Sequence, residues 1–239
     1  MIRLMDYIQA VAFDLDGTLI DTAPDLAAAA NVMLVMLGAR PVREHRVPAL
    51  IGEGIDRFVW KVLEESRGRQ VADTALHATA AALFRSLYRQ RLFERSRVYP
   101  SVMQTLDALT FARRPMCCIT NKESPFAVPL LEAAGLSEHF VMTVCADRAQ
   151  DRKPAPNLLL AACTRLGVKP SRLLYVGDSR SDILAARAAG CRVVAVDYGY
   201  SHYATLAQGQ ADGIIGSLSE IITVGVRPRA GVRTLRAVS

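Results

Sequence analysis

The chain has 239 residues, 51% of them hydrophobic and 22% charged, which is ample material for a buried core and excludes a disordered chain or a disulfide-stapled miniprotein. Its 29 basic and 23 acidic side chains leave a net charge of +6. That excess is not one patch: residues 1–21 hold one basic and four acidic side chains, residues 22–95 hold eleven and eight, and residues 225–239 hold four arginines and no acid. Four terminal arginines are a small electrostatic footprint, and aromatics at 6% supply no stacking surface, so no nucleic-acid partner is expected. The five cysteines, Cys117, Cys118, Cys145, Cys163 and Cys191, show no C-x-x-C spacing and read as reduced core residues. No window approaches 18 uninterrupted apolar residues and no signal peptide is evident, so no membrane partner and a cytoplasmic location are expected.

In chain order, the apolar run Ile8 to Phe13 ends in acids and a glycine, as a buried strand entering a loop should. Thr22 is a candidate N-cap, with Pro24 in the first turn and Asp25 three residues on as an acidic form of the capping box. Leu26, Ala29, Ala30, Met33, Leu34 and Leu37 then recur at helical spacing, and Gly38 stops the helix. Residues 22–95 are helical in pattern, with a turn at Ile51-Gly52-Glu53-Gly54 and a charged break around Ser66 to Gln70. After Pro100 the texture alternates. Strands are predicted at Pro115 to Thr120, Phe140 to Cys145, Arg172 to Gly177, Arg192 to Val196 and, more weakly, Gly213 to Ile215. The intervening helices begin near Ser124, Pro154 and Ser179 and stop at Gly135, Gly167 and Gly190. This βα repeat implies an α/β fold with a Rossmann-like parallel sheet covered by helices on both faces. The expected partition is a core of residues 1–21 and 96–224, an inserted all-helical domain at 22–95, and a flexible basic tail at 225–239.

Such a sheet carries its functional groups at the carboxyl ends of its strands. Those ends present Asp14-Leu15-Asp16-Gly17-Thr18, Thr120-Asn121-Lys122, Asp151 to Lys153-Pro154, and Gly177-Asp178-Ser179 with Asp182 beyond. Carboxylates converging in this number repel one another unless a cation neutralises them, and hard oxygen ligands suit Mg²⁺. Asp14 and Asp16, two apart at a strand end, share a face in an extended segment, so one acid can attack while the other moves a proton. A carboxylate is a competent nucleophile against a phosphorus centre screened by a metal and a lysine. Thr120, the Asn121 backbone N–H and Lys153 supply donors for phosphate oxygens. Each piece alone reads equally as a loop, cap or surface residue; their conjunction in order is what points to chemistry.

FDLDGTLIDT, ITNK, RKPAP and GDSRSD resemble, in order, the four motifs of the haloacid dehalogenase-like hydrolases, over about residues 8–220. The helical insert after the first motif, with Tyr99-Pro100, Thr120-Asn121-Lys122 and Asp197-Tyr198-Gly199-Tyr200, is similar to the phosphoglycolate phosphatase-like branch. The resemblance implies that Asp14 is the nucleophile and a Mg²⁺ ligand. It implies that Asp16 protonates the leaving oxygen, activates the hydrolytic water and offers its carbonyl to the metal. Asp178 would complete the protein ligands, Asp182 would be a more distant metal partner, and Thr120, Asn121 and Lys153 would hold the phosphoryl group. Asp16 distinguishes the chain from dehalogenating and phosphonate-cleaving branches, since a phosphate ester needs a leaving-group proton.

The expected activity is a Mg²⁺-dependent phosphatase acting on a small phosphorylated metabolite, with 2-phosphoglycolate foremost. A phosphosugar mutase or pyrophosphatase on the same scaffold stays open, as does a non-catalytic phospho-acceptor module, against which Asp16 and the insert argue. In the insert, the turn holding Gly54 is expected to face the core and Arg57 to offer a fork for a substrate carboxylate. Lys61 and Trp60 read as structural, and His45, His77, His139 and His202 share no ligand spacing. Monomer and homodimer both stay open.

Overall fold

The computed structural model describes residues 4–68, 74–201 and 203–222. A short helix α1 (Leu4–Tyr7) leads into β1 (Ala10–Phe13) and β2 (Ile20–Asp21), followed by helices α2 (Ala23–Met36), α3 (Ile55–Arg67) and α4 (Thr74–Arg89). Next come β3 (Arg97–Val98), α5 (Val102–Phe111), β4 (Met116–Thr120), α6 (Ser124–Ala133), β5 (Met142–Cys145) and α7 (Asn157–Leu166). The chain continues through β6 (Leu173–Gly177), α8 (Arg180–Ala189), β7 (Arg192–Val196), α9 (Tyr203–Gln208) and β8 (Gly213–Ile215). The sequence-predicted strands are present with ends displaced by at most two residues.

Six strands form one sheet in the order β5-β4-β1-β6-β7-β8, and every neighbouring pair is parallel. The strands are apolar on both faces because both faces are covered. Val11, Phe13, Cys118, Leu174 and Val194 pack with α5 and α6, while Ala12, Ile119, Tyr175 and Val193 pack with α7, α8 and α9. The chain runs outward from β1 to β4 and β5 on one side, then crosses to β6, β7 and β8 on the other. This change of direction opens a crevice at the carboxyl end of β1, where such sheets bind ligands.

Strands β2 and β3 pair antiparallel, Ile20 with Val98 and Asp21 with Arg97, and this ribbon carries the helical insert. On α3, Ile55, Phe58, Val59, Val62 and Leu63 are buried, the i, i+3, i+4, i+7, i+8 stripe of an amphipathic helix. They join Leu26, Met33, Phe84 and Tyr88 in a separate apolar cluster, to which the sheet-bearing part of the chain lends Phe126 of α6.

Two sequence expectations are corrected. Thr22 does occupy the N-cap position of α2 but makes no capping hydrogen bond. Its Oγ1 donates to Asp16 Oδ1 at 2.6 Å, and the Thr22 and Ala23 N–H groups donate to the Tyr200 hydroxyl at 2.7 and 3.0 Å. Asp25 is fully buried and accepts from the Arg95 and Ser96 N–H groups at 2.7 and 2.9 Å. The backbone leading into the returning strand offers Asp25 donors that a local capping box would leave unpaired. Helix α7 begins at Asn157 rather than near Pro154, because the Asn121 amide holds the Lys153 backbone at both its N–H and its carbonyl. Residues 225–239, the predicted tail, lie outside the described residues.

Candidate active site

The loop after β1 turns back on itself: the N–H groups of Thr18, Leu19 and Ile20 all bond to the Leu15 carbonyl, and the Gly17 N–H bonds to Ile20. Gly17 sits at φ 82°, and a Cβ there would lie 2.2 Å from Asp178 Oδ2. On the other side, a Cβ at Gly199 would lie 2.4 Å from Asp178 Cβ. The two glycines thus let the loop after β1 and the loop after β7 close around the Asp178 carboxylate, whose Oδ2 accepts from the Tyr200 N–H at 2.7 Å.

Asp14, Asp178 and Asp182 place carboxylate oxygens within 4.8 Å of one another. Burial, with Asp182 beside it, pushes the Asp14 carboxyl up to about 7 and the Asp178 carboxyl well above the carboxylate range. A cluster of hard oxygen donors whose repulsion Lys153 relieves only in part, leaving Asp14 and Asp178 still raised, fits a small hard divalent ion. Asp182 has further partners. Its Oδ1 lies 2.7 Å from Lys153 Nζ and 3.0 Å from the Tyr175 hydroxyl, and its Oδ2 takes the Ser179 N–H and hydroxyl in a true capping box at the start of α8. Asp182 thus fixes Lys153 while completing, with Asp14 and Asp178, the carboxylate group that could hold a cation.

Lys153, 3% exposed, reaches Asp14 Oδ1 at 2.8 Å and the Tyr175 hydroxyl at 2.8 Å. Burial alone would favour the neutral amine; Asp14 and Asp182 reverse this and raise its pKa above the ordinary lysine value. Thr120 ends β4 with its hydroxyl accepting from the Lys122 N–H at 3.1 Å. The Asn121 side chain is spent on structure, donating to the Gly52 carbonyl at 2.8 Å and to the Lys153 carbonyl at 3.1 Å.

Lys122 went unassigned from sequence. Its ammonium lies 2.8 and 3.0 Å from the two oxygens of Asp16. Here too burial opposes the charge, and Asp16 holds the pKa above the ordinary value. The ITNK motif contained the signal, but a lysine two residues past a strand end declares no partner until the loops are folded together. Tyr200 was similarly hidden: its hydroxyl donates to Asp21 Oδ1 at 2.9 Å while receiving the first N–H groups of α2.

Two cavities meet at Asp16. One, of about 80 Å³, is lined by Asp14, Asp16, Asp178, Ser179 and Tyr200 with Ile51 and Gly52 of the insert. The other, of about 30 Å³, is lined by Asp16, Asn121 and Lys122 below and by Leu26, Ile55 and Phe58 of the insert above. Gly54, at φ 85°, borders the second cavity, and a Cβ there would lie 2.8 Å from the Arg152 guanidinium carbon. Arg57 is not brought in. It stays half exposed beside Glu53 at 3.6 Å, because its position on α3 falls on the face opposite the buried stripe; the lysine lining the cavity is Lys122.

Acids and lysines gathered at the switch point of a parallel sheet, under a helical insert, define an α/β enzyme built to handle an anionic group beside a cation. The comparisons make this specific. The model of the haloacid dehalogenase-like hydrolases matches residues 11–196, and the chain belongs to that family. It is 42% identical over 217 residues to the phosphoglycolate phosphatase of Chromobacterium violaceum, covering 91% of this chain and 96% of that one. It is 37% identical over 230 residues to that of Escherichia coli, covering 90% and 91%. The crystal structure of a predicted phosphoglycolate phosphatase from Haemophilus somnus superposes with a TM-score of 0.85 at 30% identity, covering 91% and 97%.

Proposed function

We propose that the chain hydrolyses 2-phosphoglycolate to glycolate and phosphate through an aspartyl-phosphate on Asp14, with Mg²⁺ held by Asp14, Asp178 and the Asp16 carbonyl. The observation that carries the reading is Asp16, which lines both cavities. It stands between the place where phosphorus would meet Asp14 and the place where the leaving group would sit. When bound, Mg²⁺ supplies charge screening for the phosphoryl oxygens and for the clustered acids.

An Asp14 carboxylate oxygen forms the bond to phosphorus as the bond to the glycolate oxygen breaks. Asp16, once it has taken up a proton, gives it to that oxygen and leaves the first step ionised, the state that its two contacts with Lys122 favour. It then takes a proton from water as the water oxygen bonds to phosphorus, the Asp14–phosphorus bond breaks, and both acids return to their starting states. Lys153, held by Asp182 and Tyr175, presents a fixed positive charge to the phosphoryl oxygens, with Thr120 and the Asn121 N–H as donors.

The insert acts as a cap that closes over the leaving group and excludes water. The apolar roof that Leu26, Ile55 and Phe58 set over Asp16 favours a small leaving group over a sugar ring. Lys122 lines this cavity, and the uncapped N-terminus of α3 opens on it at Gly54, so an anionic leaving group is favoured there. Phosphate release from 2-phosphoglycolate, β-glucose 1-phosphate and pyrophosphate in the presence of Mg²⁺ tests the reading. Preference for the first supports it; preference for pyrophosphate replaces it with the pyrophosphatase alternative, and conversion of β-glucose 1-phosphate to glucose 6-phosphate without phosphate release replaces it with the mutase.

A further inference from the structure

Tyr88 belongs to α4 of the insert, yet it is fully buried and its ring centroid lies 5.0 Å from the Nζ of Lys122. The ring is clamped between Phe84, stacked at 5.7 Å, and Phe126 of α6 at 5.5 Å. Its hydroxyl finds no hydrogen-bond partner among the described residues, and burial pushes the phenol up to about 12, so it stays neutral. The residue therefore meets Lys122 as a neutral group, through its π-face, with the ammonium partly offsetting the effect of burial on the phenol. Resting on the reading above, we infer that Tyr88 is a positioning residue supplied by the insert, which holds Lys122 against both oxygens of Asp16 and so fixes the group that moves the proton.

The physical basis is the pairing of a desolvated ammonium with an aromatic face, which is stronger out of water than at a surface. Lys122 has four rotatable bonds and one carboxylate partner. With the ring removed, the ammonium loses the aromatic face that backs it from the insert, and the Asp16 carboxylate it grips gains rotational freedom. Misplacement of a proton-transfer group lowers turnover more than it lowers substrate binding. Docking of the insert through Phe126 then does more than exclude water: it completes the surroundings of Asp16.

A double-mutant cycle tests this on the full chain with Mg²⁺, using 2-phosphoglycolate and, independently of substrate choice, p-nitrophenyl phosphate. Tyr88→Phe keeps the ring and removes an unpaired hydroxyl, so kcat is expected within about twofold of wild type. Tyr88→Leu is expected to lower kcat by roughly ten- to thirtyfold with KM nearly unchanged. In a Lys122→Met background the same Tyr88→Leu change should cost little more. If Tyr88→Leu does not fold, as judged by circular dichroism, the Tyr88→Met and Tyr88→Trp pair, without and with an aromatic face, takes its place in the cycle. An equal loss from the Tyr88 change with and without Lys122, or a Phe variant as poor as Leu, overturns the inference. Wild-type protein active on p-nitrophenyl phosphate but not on phosphoglycolate overturns the substrate reading instead and leaves the cycle readable.

Discussion

Asn121, at the carboxyl end of β4, donates its side-chain amide to the carbonyl of Gly52 in the insert at 2.8 Å. The same amide accepts from the Lys153 N–H at 2.7 Å and donates to the Lys153 carbonyl at 3.1 Å. One buried side chain thus sets both the height of the turn over the site and the position of the lysine beneath it. Asn121→Ala leaves the buried Lys153 N–H and carbonyl unpaired, at a cost of about 1–3 kcal/mol each. The expected result is a loss of kcat/KM on the order of 10² with retained secondary structure, measured by steady-state kinetics and circular dichroism.

The acid cluster predicts a metal-dependent stability. Asp14 has its carboxyl raised to about 7 and Asp178 well above the usual range. The folded state therefore binds protons that the unfolded chain, with a carboxyl near 4, has already released. Metal-free protein should lose stability as pH rises from about 4 toward 7. Added Mg²⁺ should raise the melting temperature most at the upper end of that window. Asp14→Asn should flatten the pH dependence relative to wild type and abolish turnover. An unchanged melting curve in that variant would sink the assignment of Asp14 to a strained cluster.

Chelator should remove activity and Mg²⁺ restore it. Asp178→Asn should stabilise the metal-free protein by relieving repulsion with Asp14, while eliminating both the Mg²⁺-induced thermal shift and turnover. Differential scanning fluorimetry with and without Mg²⁺ separates these two effects.

A second contact between insert and core is ionic. Arg85 of α4 bonds Glu123 through Nε at 3.1 Å and Nη2 at 2.7 Å, and Asp56 of α3 through Nη2 at 2.9 Å. Although partial burial opposes it, the Arg85 guanidinium, with Arg152, holds the Asp56 carboxyl below the usual range. Its contribution is present above the unfolded carboxyl pKa and is lost as pH falls through the lower folded value. Because the pairs are partly exposed, each is worth at most about 1 kcal/mol and is screened by salt. Arg85→Met should raise KM severalfold at low salt and should remove most of the salt dependence of KM seen in wild type.

Ile55 lines, from the insert side, the cavity proposed for the leaving group. Ile55→Ala should cost about 2–5 kcal/mol of stability and widen the range of esters accepted. The ratio of kcat/KM for 2-phosphoglycolate over β-glucose 1-phosphate should fall, and a ratio that stays constant would separate this cavity from substrate choice.

Much of the framework was legible in the chain itself. The apolar runs from Ala10 to Phe13, Met116 to Thr120 and Leu173 to Gly177, each ending in Thr or followed at once by Asp, specify strands buried on both faces with polar groups at one edge, because side-chain period and turn chemistry are local properties. The motif residues Asp14, Thr120, Lys153 and Asp178 followed from that edge. Their partners did not. Thr22 binding Asp16, Asp25 binding the backbone at 95 and 96, Asp182 capping α8 while holding Lys153, and Tyr200 receiving the first N–H groups of α2 are mostly contacts between segments dozens of residues apart. Sequence spacing ranks such groups as caps or ligands equally well, and the choice falls to whichever buried donor or acceptor the folded chain brings nearest. By itself, then, the sequence determined the sheet, the edge that carries the chemistry and the family. The tertiary structure alone decided that Lys122 and not Arg57 lines the cavity between Asp16 and the insert, and that Asp182 holds a lysine, since a buried polar group must be satisfied by what surrounds it in space.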